Sequence, residues 1–248
     1  MRGKAQLIAA SLGALLLVAG IAGQVLPGPP DAGDKQPLGL FSSLPIYWSE
    51  SDDIGGAIDG GGDSTHWVRT ELESGNRLVP LDTLDGGDLK ALKRLLLAQP
   101  RPLAPAENVA LDDWVRAGGR ALLFADPMLT EHSRFALGDR RRPQDIAVLS
   151  PILKRWGLEL RFDEDQPEGR RVIEDGSIEI PVELSGTLVA VTPGAPSRCS
   201  VGDSGITATC RVGKGSVTVV ADAEVLDREG GEEGDLRAIR TLISRSIG

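Results

Sequence analysis

The sequence predicts an α/β domain of three layers, with a parallel sheet at its centre and a β-rich antiparallel insertion. Three observations carry this. Leu95 to Gln99 and Ala121 to Ala125 are continuous apolar runs of strand length, the pattern of strands covered on both faces. Between them a helical segment opens at Pro105 and stops at Gly118-Gly119, which makes a right-handed strand–helix–strand unit. From Arg171 to Thr209 the pattern turns to alternation, as in Ser177–Leu184 and Thr187–Thr192, and reads as antiparallel strands.

Taken in order, the chain opens with Arg2 and Lys4 and then carries no charge from Ala5 to Pro30. As a helix, Leu7 to Val25 would be about 28 Å long, close to the ~30 Å hydrocarbon core of a bilayer. The positive-inside rule then keeps Arg2 and Lys4 in the cytoplasm and delivers the rest across the membrane. The expectation is a bacterial inner-membrane protein with one N-terminal transmembrane helix (1–30), a Pro-rich linker (31–37) and a soluble periplasmic domain (38–248). A signal peptide is the alternative, with an apolar core at Leu7–Val18 and cleavage after Gly20-Ile21-Ala22; that would release the domain to the periplasm.

Leu38 to Trp48 holds the first strand, and a glycine-rich acidic loop follows from Asp52 to Asp63. Asp63 and Ser64 can cap a helix carrying Trp67, Val68 and Leu72 and ending at Gly75. Leu78 to Leu81 is a short strand. The helix opened by Pro105 buries Val109, Leu111, Trp114 and Val115. Ser150-Pro151 starts a short helix closed by Gly157, and Leu158 to Phe162 follows as a strand. The β-rich insertion occupies 166–212, Gly215 to Ala221 returns to the buried-strand type, and a last helix from about Asp235 carries Leu236, Ile239, Leu242 and Ile243.

A net charge of −9 and a pI near 4.9 argue against nucleic acid as a partner, because a phosphate backbone would be repelled. The short basic run Arg140-Arg141-Arg142 reads as a solvated loop. Cys199 and Cys210, the two cysteines, flank the turn signal Gly202-Asp-Ser-Gly205. A hairpin turning there sets them opposite each other, and in an oxidising compartment they form a disulfide. Zinc is a poor reading, since it needs three or four ligands and no histidine is near.

Ligands of open parallel sheets bind beyond the strand carboxyl ends. Asp126 and Asp222 sit at such ends in matching contexts, Phe-Ala-Asp-Pro and Val-Ala-Asp-Ala. On adjacent strands they could share a metal or a hydrogen-bonded ligand; alternatively each caps the turn that follows it. His132, downstream of the Asp126 strand, could reach the same cleft, whereas His66 reads as a surface residue on a polar helix turn. Asp52, Asp53, Asp59 and Asp63 depart from EF-hand spacing and read as solvated acids. In a chain with nine aromatics, Phe41, Tyr47 and Trp48 cluster near the first strand. Core packing accounts for them, and an exposed Tyr47–Trp48 pair would instead mark a docking or sugar-stacking surface. There is no nucleophile elbow, phosphate-binding loop or triad, so no catalytic residue, metal ligand or cofactor is assigned.

Leu95–Glu107, Leu111–Pro127, Ser150–Gly157 and Gly213–Asp222 with the closing helix resemble membrane-anchored auxiliary proteins of gliding-motility and uncharacterised ABC-type transport systems. The resemblance covers roughly 40–160 and 213–248. It implies a flavodoxin-like fold similar to the class I glutamine amidotransferases, whose nucleophilic cysteine follows a central strand. Here the comparable position holds Asp126-Pro127. The resemblance therefore implies an amidotransferase-like scaffold without its nucleophile: a non-enzymatic binding or scaffolding domain whose partners are inner-membrane transporter or envelope proteins. An exported hydrolase or carbohydrate-binding protein using Asp126, His132 and Asp222 is the alternative.

Overall fold

The leucine-rich runs predicted as two-faced strands are buried on both sides, and the rest of the molecule is arranged around them. The computed structural model describes residues 35–48, 65–227 and 229–248. The elements are β1 (Pro37–Ser42), α1 (Trp67–Gly75), β2 (Arg77–Pro80), α2 (Gly86–Lys90), β3 (Arg94–Ala98), α3 (Pro105–Arg116) and β4 (Arg120–Phe124). Then come α4 (Ser150–Trp156), β5 (Leu158–Phe162), β6 (Arg171–Asp175), β7 (Ile178–Val182), β8 (Gly186–Ala190), β9 (Ser197–Val201), β10 (Thr207–Val212), β11 (Gly215–Val220) and α5 (Glu233–Ser246).

The central sheet has seven strands in the order β2-β1-β3-β4-β11-β10-β9. The first five run parallel, and β10 and β9 continue the sheet antiparallel. Counting only the parallel strands, this is the 2-1-3-4-5 order of flavodoxin-like sheets, so the fold class is the one the sequence predicts. Alternate residues feed two cores. Leu96 and Leu122 face Val68 and Leu72 of α1 and Ile239 and Leu242 of α5. Leu95, Leu97 and Leu123 face Leu111 and Val115 of α3 and Trp156 of α4. The β-rich stretch is divided. Two ribbons, β5–β8 and β6–β7, pack beside the sheet, whereas β9 and β10 are part of it.

The disulfide forms as expected. Cys210 and Cys199 are direct partners across the β9–β10 hairpin and are bonded to each other. Gly157 ends α4 at φ 97°, a left-handed cap that glycine reaches without steric cost.

Three expectations are corrected. Val109 is 59% exposed, because α3 turns only its Leu111–Val115 stripe to the sheet. His66 is buried and serves as the N-cap of α1, its Nδ1 accepting from the Val68 N–H at 3.2 Å, since the first turn of a helix needs an acceptor. The third concerns location. No helix among the described residues is long and apolar enough to cross a membrane, which stands against a single-pass inner-membrane protein. The longest, α5, has 14 residues, is about 21 Å long, and carries Arg237, Arg240 and Arg245. The run Leu7–Val25, its cleavage alternative, the caps Asp63 and Ser64, and the acidic loop Asp52–Asp63 all lie outside the described residues.

Candidate functional site

A doubly wound sheet opens a crevice where successive connections leave in opposite directions, here beyond the carboxyl ends of β1 and β3. In this protein the chain itself fills that place. Gln99, the residue after β3, is buried and holds φ 44°, a left-handed conformation uncommon outside glycine. That turn aims its amide at the neighbouring strand end. Gln99 Oε1 accepts from the Asp126 N–H at 2.8 Å, and Nε2 donates to the carbonyls of Asp126 at 3.0 Å and Gln144 at 2.8 Å. Ser43, just past β1, donates from Oγ to the Gln99 carbonyl at 2.5 Å and accepts from the Gln144 N–H at 3.0 Å. The connection 127–149 is thereby stitched across the crevice, with Leu129 N–H bonded to Asp145 O and Ala147 N–H to Asp126 O.

Asp126 and Asp222 each stand two residues beyond the ends of neighbouring parallel strands, past the last register pair Phe124–Val220 and the bond from Ala125 N–H to Val220 O. The condition that adjacent strands carry them is met. Both are 1% exposed. Their oxygens are engaged with backbone. Asp126 accepts from Met128 N–H at 2.8 Å and Ala223 N–H at 3.1 Å. Asp222 accepts from Glu224 N–H at 2.7 Å and Glu183 N–H at 3.1 Å. Each carboxylate closes the turn after its own strand and ties down a second segment. Burial pushes the Asp126 carboxyl up to about 7 against the pull of those two N–H groups. Burial, and then the neighbouring Asp126 charge, hold Asp222 well above the usual carboxylate range.

The open part of this end of the sheet is beside the pair. A cavity of about 630 Å³ is lined by His132, Arg170, Glu183, Glu224, Asp227, Glu229 and Glu232, among others, but by neither Asp126 nor Asp222. His132 thus reaches the strand ends without joining the two aspartates. Arg170 bridges Glu224, at 2.7 Å, and Asp235. Burial and then the Asp227 charge raise Glu224 to about 7, with Arg170 opposing them. No group of three or more metal-ligating side chains occurs among the described residues.

Tyr47 and Trp48 do not form one exposed patch. Trp48 is 69% exposed, while Tyr47 packs partly against the core with the Arg69 guanidinium 4.3 Å over its ring. The sequence reading missed Gln99 and also Asp112, a fully buried carboxylate on α3 that receives Arg116 at 2.9 Å, Arg155, and Trp156 Nε1 at 3.0 Å. A signal for Gln99 existed: a lone amide between an apolar run and Pro100.

No protein-family model and no curated protein matches this chain. Among solved structures, the mmIFT52 N-terminal domain is similar with a TM-score of 0.53 at 13% identity, covering 85% of this chain and 96% of that one. A putative ThuA-like protein from Bacteroides uniformis aligns over 86% of this chain and 93% of its own at 11% identity and a TM-score of 0.43. The GH42 β-galactosidase Gan42B aligns at 11% identity and a TM-score of 0.49, with 85% of this chain covering 30% of the enzyme. The IFT52 domain shares the fold, and at that identity the likeness extends to fold alone.

Proposed function

We propose that this chain is a non-enzymatic binding or scaffolding domain of the amidotransferase-like class, auxiliary to an ABC-type transport or envelope system. The observation that carries the reading is the use made of Asp126. At the strand end where a nucleophile stands in the resembling enzymes, this carboxylate is spent on two backbone N–H groups, and the connection 127–149 is bonded across the crevice. A group so engaged positions loops; it is not poised to meet a substrate. What stays open is the acidic cavity beside it, which suits a cationic segment of a partner protein.

Cross-linked affinity purification from the native host, comparing the unmodified chain with Glu183→Gln/Glu229→Gln/Glu232→Gln, tests this. The expected result is a defined set of transport or envelope proteins that the triple variant loses. Identical captured sets would overturn the cavity as the docking site. Hydrolysis of a glycoside or ester by the unmodified chain, abolished in Asp126→Asn, would overturn the non-enzymatic reading.

A further inference from the structure

The end of the sheet opposite the acidic cavity is basic, and its basic residues are in register. Arg94 pairs with Arg120, Arg120 with Ser216, Ser216 with Arg211, and Arg211 with Arg198. Residues paired in this way project from the same face of a sheet, so four arginines form one row across five strands. At about 4.8 Å per strand the row is roughly 19 Å long. Lys93, just before β3, and Lys214, in the β10–β11 turn, stand at the same end. Arg120, Arg198, Arg211, Lys93 and Lys214 are exposed, and Arg94 is half-buried. Among the described residues none of these six pairs with an Asp or Glu side chain. Arg94 donates to the backbone carbonyls of Gln36 and Pro37, and Arg120 to a main-chain oxygen of Gly248.

Like charges set directly opposite each other destabilise a sheet. Burial and then Arg120 depress the pKa of Arg94, which records that repulsion. A charge on the edge strand β9 guards against edge pairing, and Arg198 can be explained so. Arg94 and Arg120 cannot, since they stand on the interior strands β3 and β4. In a chain of net charge −9, an unpaired basic row is a recognition feature.

We propose that this arginine row is a docking face for an anionic phospholipid surface. A row of cations spread over about 19 Å suits several phosphates at once, whereas one bound anion would need a pocket. The chain also enters β1 at this end, where Arg94 holds Gln36. Residues 1–34 are therefore joined to this face, and they include the uncharged run Ala5–Pro30. The acidic cavity at the far end would be turned away from such a surface. This inference is independent of the proposed function and requires no membrane-spanning helix.

The test is co-sedimentation of the full chain with phosphatidylcholine vesicles, with and without phosphatidylglycerol. The readout is the ratio of the two affinities, because partitioning of the uncharged run would be common to both. The expected result is tighter binding to the anionic vesicles that collapses between about 50 and 500 mM salt. Arg198→Gln, Arg211→Gln and Lys214→Gln should each weaken it about fivefold, while Glu229→Gln/Glu232→Gln at the opposite end leaves it unchanged. Equal binding to both vesicles would overturn the proposal, and so would a folded triple-glutamine variant that binds as the unmodified chain does. Stronger salt-sensitive binding to polyglutamate than to the anionic vesicles would assign the row to an acidic protein and would also overturn it.

Discussion

Raising the pH from 5 to 8 should destabilise this protein, the reverse of the trend that ion-paired carboxylates produce. The cause is Asp126. Its carboxyl moves from an ordinary 3.8 to about 7 because burial penalises the charged form. The folded chain therefore holds a proton between pH 4 and 7 that the unfolded chain has released. Stability is full below about pH 4 on this account and falls as pH rises, reaching its floor just above 7. At about 1.4 kcal/mol for each pH unit separating the two values, the whole fall approaches ~4 kcal/mol as an upper limit, of which about 3 kcal/mol lies between pH 5 and 8. Asp222 shifts in the same direction, and so does Glu224. Urea denaturation at pH 5, 6, 7 and 8 measures the fall directly. Asp126→Asn should remove its own share of the fall and leave those of Asp222 and Glu224, whatever the substitution does to absolute stability by turning an amide N–H toward a backbone donor. A wild-type stability that is level or rises over this range would refute the claim that burial outweighs the two backbone hydrogen bonds.

Three further outcomes follow from other parts of the structure. Glu107 is held down to about 2, chiefly by its hydrogen bonds with Arg101 and against its own burial, so the stability it contributes is present above about pH 4.5 and is lost as pH falls toward 2; Glu107→Gln should blunt acid unfolding below pH 4, and an unchanged acid limb would exclude the pair as its cause. Removing the Cys199–Cys210 bridge opens a loop with a sequence separation of 11 and should cost up to about 3 kcal/mol in the loop-entropy model; thermal melts of Cys199→Ser/Cys210→Ser that match the wild type would show that the hairpin closes without it. Gln99→Ala leaves the Asp126 N–H and two carbonyls without their side-chain partner and should cost about 2–4 kcal/mol; faster amide exchange across 127–149 is the accompanying sign, and unchanged protection there would mean that Gln99 does not fasten the segment.

The parallel core was legible because its evidence is local. Arg94–Ala98 and Arg120–Phe124 are uninterrupted apolar strands at a spacing that only a crossover helix fills, and Pro105 and Gly118 punctuate that helix. The Cys199–Cys210 hairpin was legible for the same reason, since its turn lies between the two residues. The place of that hairpin in the fold was not. Alternation in β9 and β10 is the same whether the pair stands alone or extends the central sheet, and only the contact with β11, which follows β10 in sequence, decides. Asp126 and Asp222 were found because each ends an apolar strand, but their partners come from afar: Ala223 for Asp126 and Glu183 for Asp222. Gln99 was missed because its meaning depends on Gln144, 45 residues away. The arginine row was invisible for a related reason. Its members are scattered from 94 to 211 in the sequence and become a row only through strand register.

The strand ends show why recognition in this protein is displaced from the usual crevice. In doubly wound folds the backbone N–H groups beyond the strands are the donors that an anionic ligand takes up. Here four such donors, on Met128, Ala223, Glu183 and Glu224, are already taken by Asp126 and Asp222. The two carboxyl groups take up those donors in the place a ligand would occupy, and their burial makes them costly to dislodge. An incoming phosphate or carboxylate would find those donors spent and acidic side chains along the adjoining cavity. The end that remains receptive to negative charge is the opposite one, where Arg94, Arg120, Arg198 and Arg211 have no Asp or Glu partner among the described residues. The fold thus satisfies its own anion sites at one end and leaves cations unpaired at the other, so electrostatics alone would orient it against a negatively charged partner.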